Sequence, residues 1–236
     1  MKALWLMFAL VLTGCVTSTT GTPNSETNLG EAARTNTALA VEYARSGNLE
    51  LAMEKARRAL DQDPSYAPAH STIALLYAQR GDEKEAISHY RRAISLDPRD
   101  LFTRNNFAIF QCERGRTEDA LELLDSVIRN KDYQAPDAAL VNAGLCASRA
   151  NLNDRAEGYF REALALKPEN PEALLQLASL SAKKQEWLKV RAFLQRRNQV
   201  AKPTALSLNL AVRAERALGD FAEADRLSRQ LQTDFP

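Results

Sequence analysis

Residues 67–100 read APAHSTIALLYAQRGDEKEAISHYRRAISLDPRD, and four of them set a ruler: Ala74, Ala86, Ala93 and Pro98. One step of 34 residues earlier, the same types stand at Ala40, Ala52, Ala59 and Pro64. Further on they return as Gly144, Ala156, Ala163 and Pro168. Gly47, Gly81, Gly115 and Gly219 mark one further shared position. A fixed period of this length is the mark of a solenoid, in which each unit buries its apolar face on the next.

The windows open at Ala33, Ala67, Leu101, Asp137, Pro171 and Ala205, giving repeats 33–66, 67–100, 101–136, 137–170, 171–204 and 205–236. Repeat position 8 holds Ala40, Ala74, Ala108, Gly144, Ala178 and Val212, and position 20 holds Ala52, Ala86, Ala120, Ala156, Val190 and Ala224. Small residues are needed where two helix axes approach to about 8–10 Å. Tyr43 and Tyr77 at position 11, and Tyr90, Leu124 and Phe160 at position 24, fill the space the small ones leave. This alternation resembles the tetratricopeptide repeat (TPR). The resemblance implies an all-α, right-handed solenoid of six helix-turn-helix repeats, about twelve antiparallel helices in all.

The period is disturbed in two places, and the C-terminal edge is a separate feature. Repeat 3 lacks the closing Pro and carries two extra residues within Lys131-Asp132-Tyr133-Gln134-Ala135-Pro136, which predicts a longer second helix or a wider loop. Repeat 5 puts Arg197 where a small residue is expected, which predicts looser packing of its second helix. The chain stops at Pro236 with no further capping helix, which leaves Leu227 and Leu231 on a C-terminal edge expected to have one side unpaired.

The first residues are of another kind. Lys2 precedes an unbroken apolar run from Leu4 to Leu12, too short to span a bilayer as a helix, followed by Thr13, Gly14 and Cys15. Leu12-Thr13-Gly14-Cys15 resembles the bacterial lipobox. That resemblance implies a signal peptide over 1–14, cleavage before Cys15, and acylation of Cys15 as the lipid attachment site. Val16 is not the Asp that retains such proteins in the inner membrane of enteric bacteria, so the expected location is the outer membrane, on its periplasmic side. Several acyl chains anchor stably where one does so only marginally. Residues 15–32, rich in Thr, Ser, Gly and Asn, read as a flexible tether.

Composition narrows the function. With 31 Lys+Arg against 30 Asp+Glu the chain has no basic excess of the kind a nucleic-acid binder shows. There is no Gly-rich phosphate loop, nucleophile elbow or CxxC pair, so the expectation is a non-enzyme without metal, cofactor or small-molecule substrate. His70 and His89 stand on different helices without ligand spacing, and His70 takes a position that often holds a packing side chain. Cys112 and Cys146 fall at positions 12 and 10 of adjacent repeats. That offset predicts two buried thiols, with a disulfide as the alternative that an oxidising periplasm permits.

In TPR arrays positions 2, 5, 9, 12 and 13 of the first helix usually face the concave groove. Position 9 reads Val41, Leu75, Ile109 and Leu145, then Ser179 and Arg213. With Phe102 at position 2 and Val141 at position 5, these apolar residues predict a partner-binding stripe over repeats 1–4, suited to an amphipathic or extended apolar segment. A carboxylate clamp needs polar side chains where Val41, Leu75 and Ile109 stand.

The layout as a whole, with Leu101-Phe102-Thr103-Arg104-Asn105-Asn106-Phe107-Ala108 and Asn142-Ala143-Gly144-Leu145-Cys146, resembles the PilF/PilW family of type IV pilus biogenesis lipoproteins. The resemblance implies a pilotin that binds secretin subunits and promotes their localisation and multimerisation. The other reading is a general periplasmic TPR adaptor lipoprotein, serving cell-wall enzymes or outer-membrane protein insertion.

Overall fold

The computed structural model describes residues 25–236, with side chains from Leu29 onward. Cys15, the lipobox and most of the tether lie outside the described residues. Twelve helices, and no strand, make up the described residues. They pair as α1 (Ser25–Arg45) with α2 (Leu49–Gln62), α3 (Ala67–Arg80) with α4 (Glu83–Leu96), and α5 (Leu101–Glu113) with α6 (Thr117–Ile128). The second half pairs α7 (Pro136–Arg149) with α8 (Asn153–Leu166), α9 (Pro171–Lys183) with α10 (Trp187–Val200), and α11 (Ala205–Leu218) with α12 (Phe221–Asp234). Each helix packs on the next, and the first helices α1, α3, α5, α7, α9 and α11 also pack on one another in sequence. This is the all-α TPR solenoid.

The small–large alternation builds the core directly. Ala40, Ala52, Ala74, Ala86, Ala108, Ala120, Ala156 and Ala178 are all fully buried. Gly144 is tighter still: a Cβ there would lie 2.5 Å from the Phe160 ring, so α7 and α8 meet closely only because position 8 has no side chain. Tyr90 is enclosed between the Phe107 and Phe110 rings, whose centroids are 5.1 and 5.8 Å away. The turn within each repeat needs a left-handed residue. Gly81 and Gly219 supply it at φ 83° and 84°, and in repeats 4 and 5 Asn151 and Gln185 adopt φ 60° and 58° at the same place. The turn geometry therefore persists where the glycine is lost, at a local cost of about 1–2 kcal/mol.

The structure departs from the sequence reading at several points. Helix α1 begins at Ser25, inside the stretch expected to be tether as far as residue 32. Once repeat 1 supplies a nucleus, each added helical residue gains a hydrogen bond without a new nucleation cost. Ala33, two turns further on, is buried against Ala59 and Ala69 and ties α1 to the array. In repeat 3 the extra residues enlarge the loop rather than the helix: α6 has 12 residues, and Tyr133 from the loop folds back to be buried. In repeat 5, α10 runs unbroken, with Val190 and Leu194 buried. Arg197 is itself buried, its Nη1 donating to the Lys202 carbonyl at 3.0 Å. At the C-terminal edge Leu227 is buried against Leu208 and Val212, so the side chain expected to be exposed is part of the core. Phe221 and Phe235 are the exposed aromatics there.

Candidate binding groove

The groove is lined by first helices, and polar pairs hold their spacing. The Ser71 and Thr103 hydroxyls are hydrogen-bonded at 2.7 Å between α3 and α5, and Asn142 Nδ2 donates to Asn105 Oδ1 at 3.1 Å between α7 and α5. Buried polar pairs of this kind fix register, because separating them leaves unsatisfied groups.

Between α3 and α5 opens a socket of about 230 Å³. Leu75 and Ile109 form its walls, Tyr90 and Phe110 line it between them, and Gln79, Asn106 and Glu113 surround it. Leu75 is 39% exposed, so this apolar surface faces solvent. The arrangement offers an apolar hole with polar groups beside it, which accepts one or two aliphatic or aromatic side chains and can hydrogen-bond the backbone or polar flank of the segment carrying them. No helix among the described residues is long and apolar enough to cross a membrane.

Of the six predicted partner-binding residues, the structure brings Leu75 and Ile109 together in this socket. Val41 and Leu145 occupy the same register on α1 and α7 and are half-buried. Phe102 is 59% exposed but faces elsewhere: its ring packs on Tyr133 of the enlarged loop at 5.3 Å between centroids. Val141 is not a surface residue. At 7% exposure it belongs to the core cluster around Leu140 and Phe160, which joins side chains from α5 to α9. The sequence reading overlooked Gln79 and Glu113, although their position 13 has the register that faces the groove. It also took Tyr90 only as a space filler.

Cys112 and Cys146 are joined in a disulfide between α5 and α7, with Cα atoms 5.6 Å apart. The expectation of two free thiols is thus corrected. Despite the two-position offset in register, the packing of α5 on α7 brings the Cα atoms within the usual range for a disulfide.

His70 and His89 also come together, Nδ1 to Nδ1 at 3.0 Å. His70 Nε2 lies 3.2 Å from the Pro64 carbonyl, which can only accept, so that nitrogen carries the proton. In the neutral pair His70 Nδ1 is then the acceptor and His89 Nδ1 the donor. Burial holds the His89 pKa below its ordinary value, helped by His70 and Arg57 and opposed by Glu85. Among the described residues no three His, Cys, Asp or Glu side chains converge as a metal site would require.

Comparison with known proteins agrees with this architecture. Tetratricopeptide-repeat family profiles match residues 67–100 and 112–171. The chain is 30% identical over 235 residues to the type IV pilus assembly protein PilF of Pseudomonas aeruginosa, covering 99% of this chain and 93% of that protein. A solved structure of Pseudomonas aeruginosa PilF superposes with a TM-score of 0.79 at 29% identity, covering 89% of this chain and 94% of that one. The structure of PilW, described as a widely conserved type IV pilus biogenesis factor, gives a TM-score of 0.75 at 27% identity, covering 86% of this chain and 94% of that one. In fold and in nearly full-length sequence, the chain belongs to the PilF/PilW family of TPR proteins of type IV pilus biogenesis.

Proposed function

We propose that this TPR protein is an outer-membrane lipoprotein that acts as a pilotin, with Cys15 as its anchor and a secretin subunit as its partner. The concave groove holds an apolar segment of the subunit until subunits multimerise, and the scaffold needs no chemistry of its own. The observation that carries this reading is the exposed apolar socket between Leu75 and Ile109, held open by rigidly spaced helices. The Cys112–Cys146 disulfide supports an exported protein, since such bonds persist in oxidising compartments such as the periplasm.

The test is a Val41→Glu, Leu75→Glu double variant. It is expected to abolish secretin multimers, seen as loss of the heat-resistant band on gels, while helical circular dichroism stays at the wild-type level. Normal multimers in the folded variant overturn the groove assignment. Cys15→Ser tests the anchor separately, by loss of acyl labelling and of outer-membrane fractionation.

A further inference from the structure

The concave register changes character along the array. In repeats 2 and 3, positions 9, 12 and 13 supply Leu75, Ala78, Gln79, Ile109 and Glu113 to the apolar socket. In repeats 4–6 the same positions include Arg149, Lys183, Arg213 and Arg216, all exposed. None of these four meets a carboxylate among the described residues. Lys183 Nζ reaches only the Asn153 amide oxygen at 3.4 Å, and the Arg213 guanidinium lies over the Trp187 ring at 5.6 Å.

Most cations on the second helices of the same repeats behave differently, although Arg196 and Arg197 reach only backbone carbonyls and Arg229 has no carboxylate partner among the described residues. Arg155, Arg161, Lys189, Arg191 and Arg226 each hold a carboxylate. The nearby acids are therefore engaged: Glu215 with Arg191, Asp154 and Glu157 with Lys184, and Asp220 as the cap of α12. Glu172 at position 2 of repeat 5 is the one carboxylate among positions 2, 5, 9, 12 and 13 of repeats 4–6, and it is hydrogen-bonded to Gln176. A chain with formal net charge +1 thus gathers four exposed cations without a carboxylate partner at the groove register of repeats 4–6.

We propose that the groove reads a two-part protein segment: apolar side chains seated between α3 and α5, and a cluster of carboxylates lying over Arg149, Lys183, Arg213 and Arg216. This rests on the groove reading above and adds the partner's chemistry to it. From α5 to α11 there are three first-helix steps of about 8–10 Å, roughly 25–30 Å in all. A helical segment of about 20 residues, or an extended one of about 8, covers that distance.

The probe is a pair of fluorescent peptides of about 24 residues. Both carry leucines at i, i+3, i+4 spacing in one half; the other half carries four Glu in one peptide and four Gln in the second. Each is made in both chain directions and titrated against the detergent-solubilised full chain by anisotropy. Exposed ion pairs are individually weak, about twofold or so each, so four should give the Glu peptide roughly a tenfold advantage at low salt. High salt should erase it, because screening shortens the reach of exposed charges. The variant Arg149→Gln, Lys183→Gln, Arg213→Gln, Arg216→Gln should remove the Glu preference and leave the Gln peptide's affinity unchanged. Leu75→Glu should weaken both peptides. Equal binding of the Glu and Gln peptides to the wild-type chain overturns the acidic register and leaves the apolar groove standing. Binding of neither overturns both. If the quadruple variant loses only sedimentation with phosphatidylglycerol vesicles, with no Glu preference in the wild type, the basic surface faces a membrane and the proposal falls.

Discussion

Cys112 and Cys146 are covalently joined, tying α5 to α7 across the longest interhelical loop among the described residues. The bond joins residues 34 apart in sequence, two short of the 36-residue step from repeat 3 to repeat 4, beside the socket rim at Glu113. It therefore restrains the array where the period is broken.

Loop-closure entropy for a segment of this size gives a stabilisation of about 3–4 kcal/mol. Reduction, or the Cys112→Ser, Cys146→Ser double variant, should lower the guanidinium midpoint clearly. Thiol titration of the denatured, unreduced chain should find neither sulfur free. An unchanged midpoint under reductant would remove the bond from the stability account.

His89 should make the fold acid-sensitive. Its folded pKa is lowered, chiefly by burial and then by His70, so the unfolded chain binds that proton more readily. The contribution is intact above the unfolded value of 6.5 and is lost as pH falls from there toward the folded pKa, below which the penalty stays constant. The melting temperature should accordingly drop between about pH 7 and pH 5. His89→Gln should flatten that drop. An identical slope in the variant would show that other groups carry the acid sensitivity.

Gly144→Ala should destabilise the array by about 1–3 kcal/mol, because the new methyl meets the Phe160 ring. Phe160→Leu in the same chain should recover part of that loss, since it removes the atoms that clash. Additive losses in a double-mutant cycle would mean that the contact is not where the cost arises.

Two glutamate substitutions at groove-register positions should part company. Val141→Glu places an unpaired charge in the core and should cost about 3 kcal/mol or more, with visible loss of helix on mild heating. Leu75→Glu faces solvent and should cost about 1 kcal/mol or less while impairing partner binding. Denaturation curves for the two proteins decide this. Equal stability would return Val141 to the surface.

The solenoid was legible in the sequence because its information is periodic. Ala40, Ala74 and Ala108 recur at one register since two helices can approach closely only over a small side chain, and Tyr90 or Phe160 must then fill the complementary space. Half of the socket was legible for the same reason: Leu75 and Ile109 share position 9, and a repeated register points repeated side chains the same way. What only the tertiary structure decided lies where units differ or where two of them meet. Val141 is covered because it falls in a core cluster that α5 to α9 share, and no single-helix pattern contains that packing. Cys112 and Cys146 meet because α5 and α7 pack on each other, and His70 and His89 because α3 and α4 pack side by side. Tyr133 folds back on Phe102 because an enlarged loop in a close-packed array must bury its apolar ring somewhere. Periodicity fixes which face of each helix turns inward; the relative placement of two helices, to within a few ångströms, is set only by packing them.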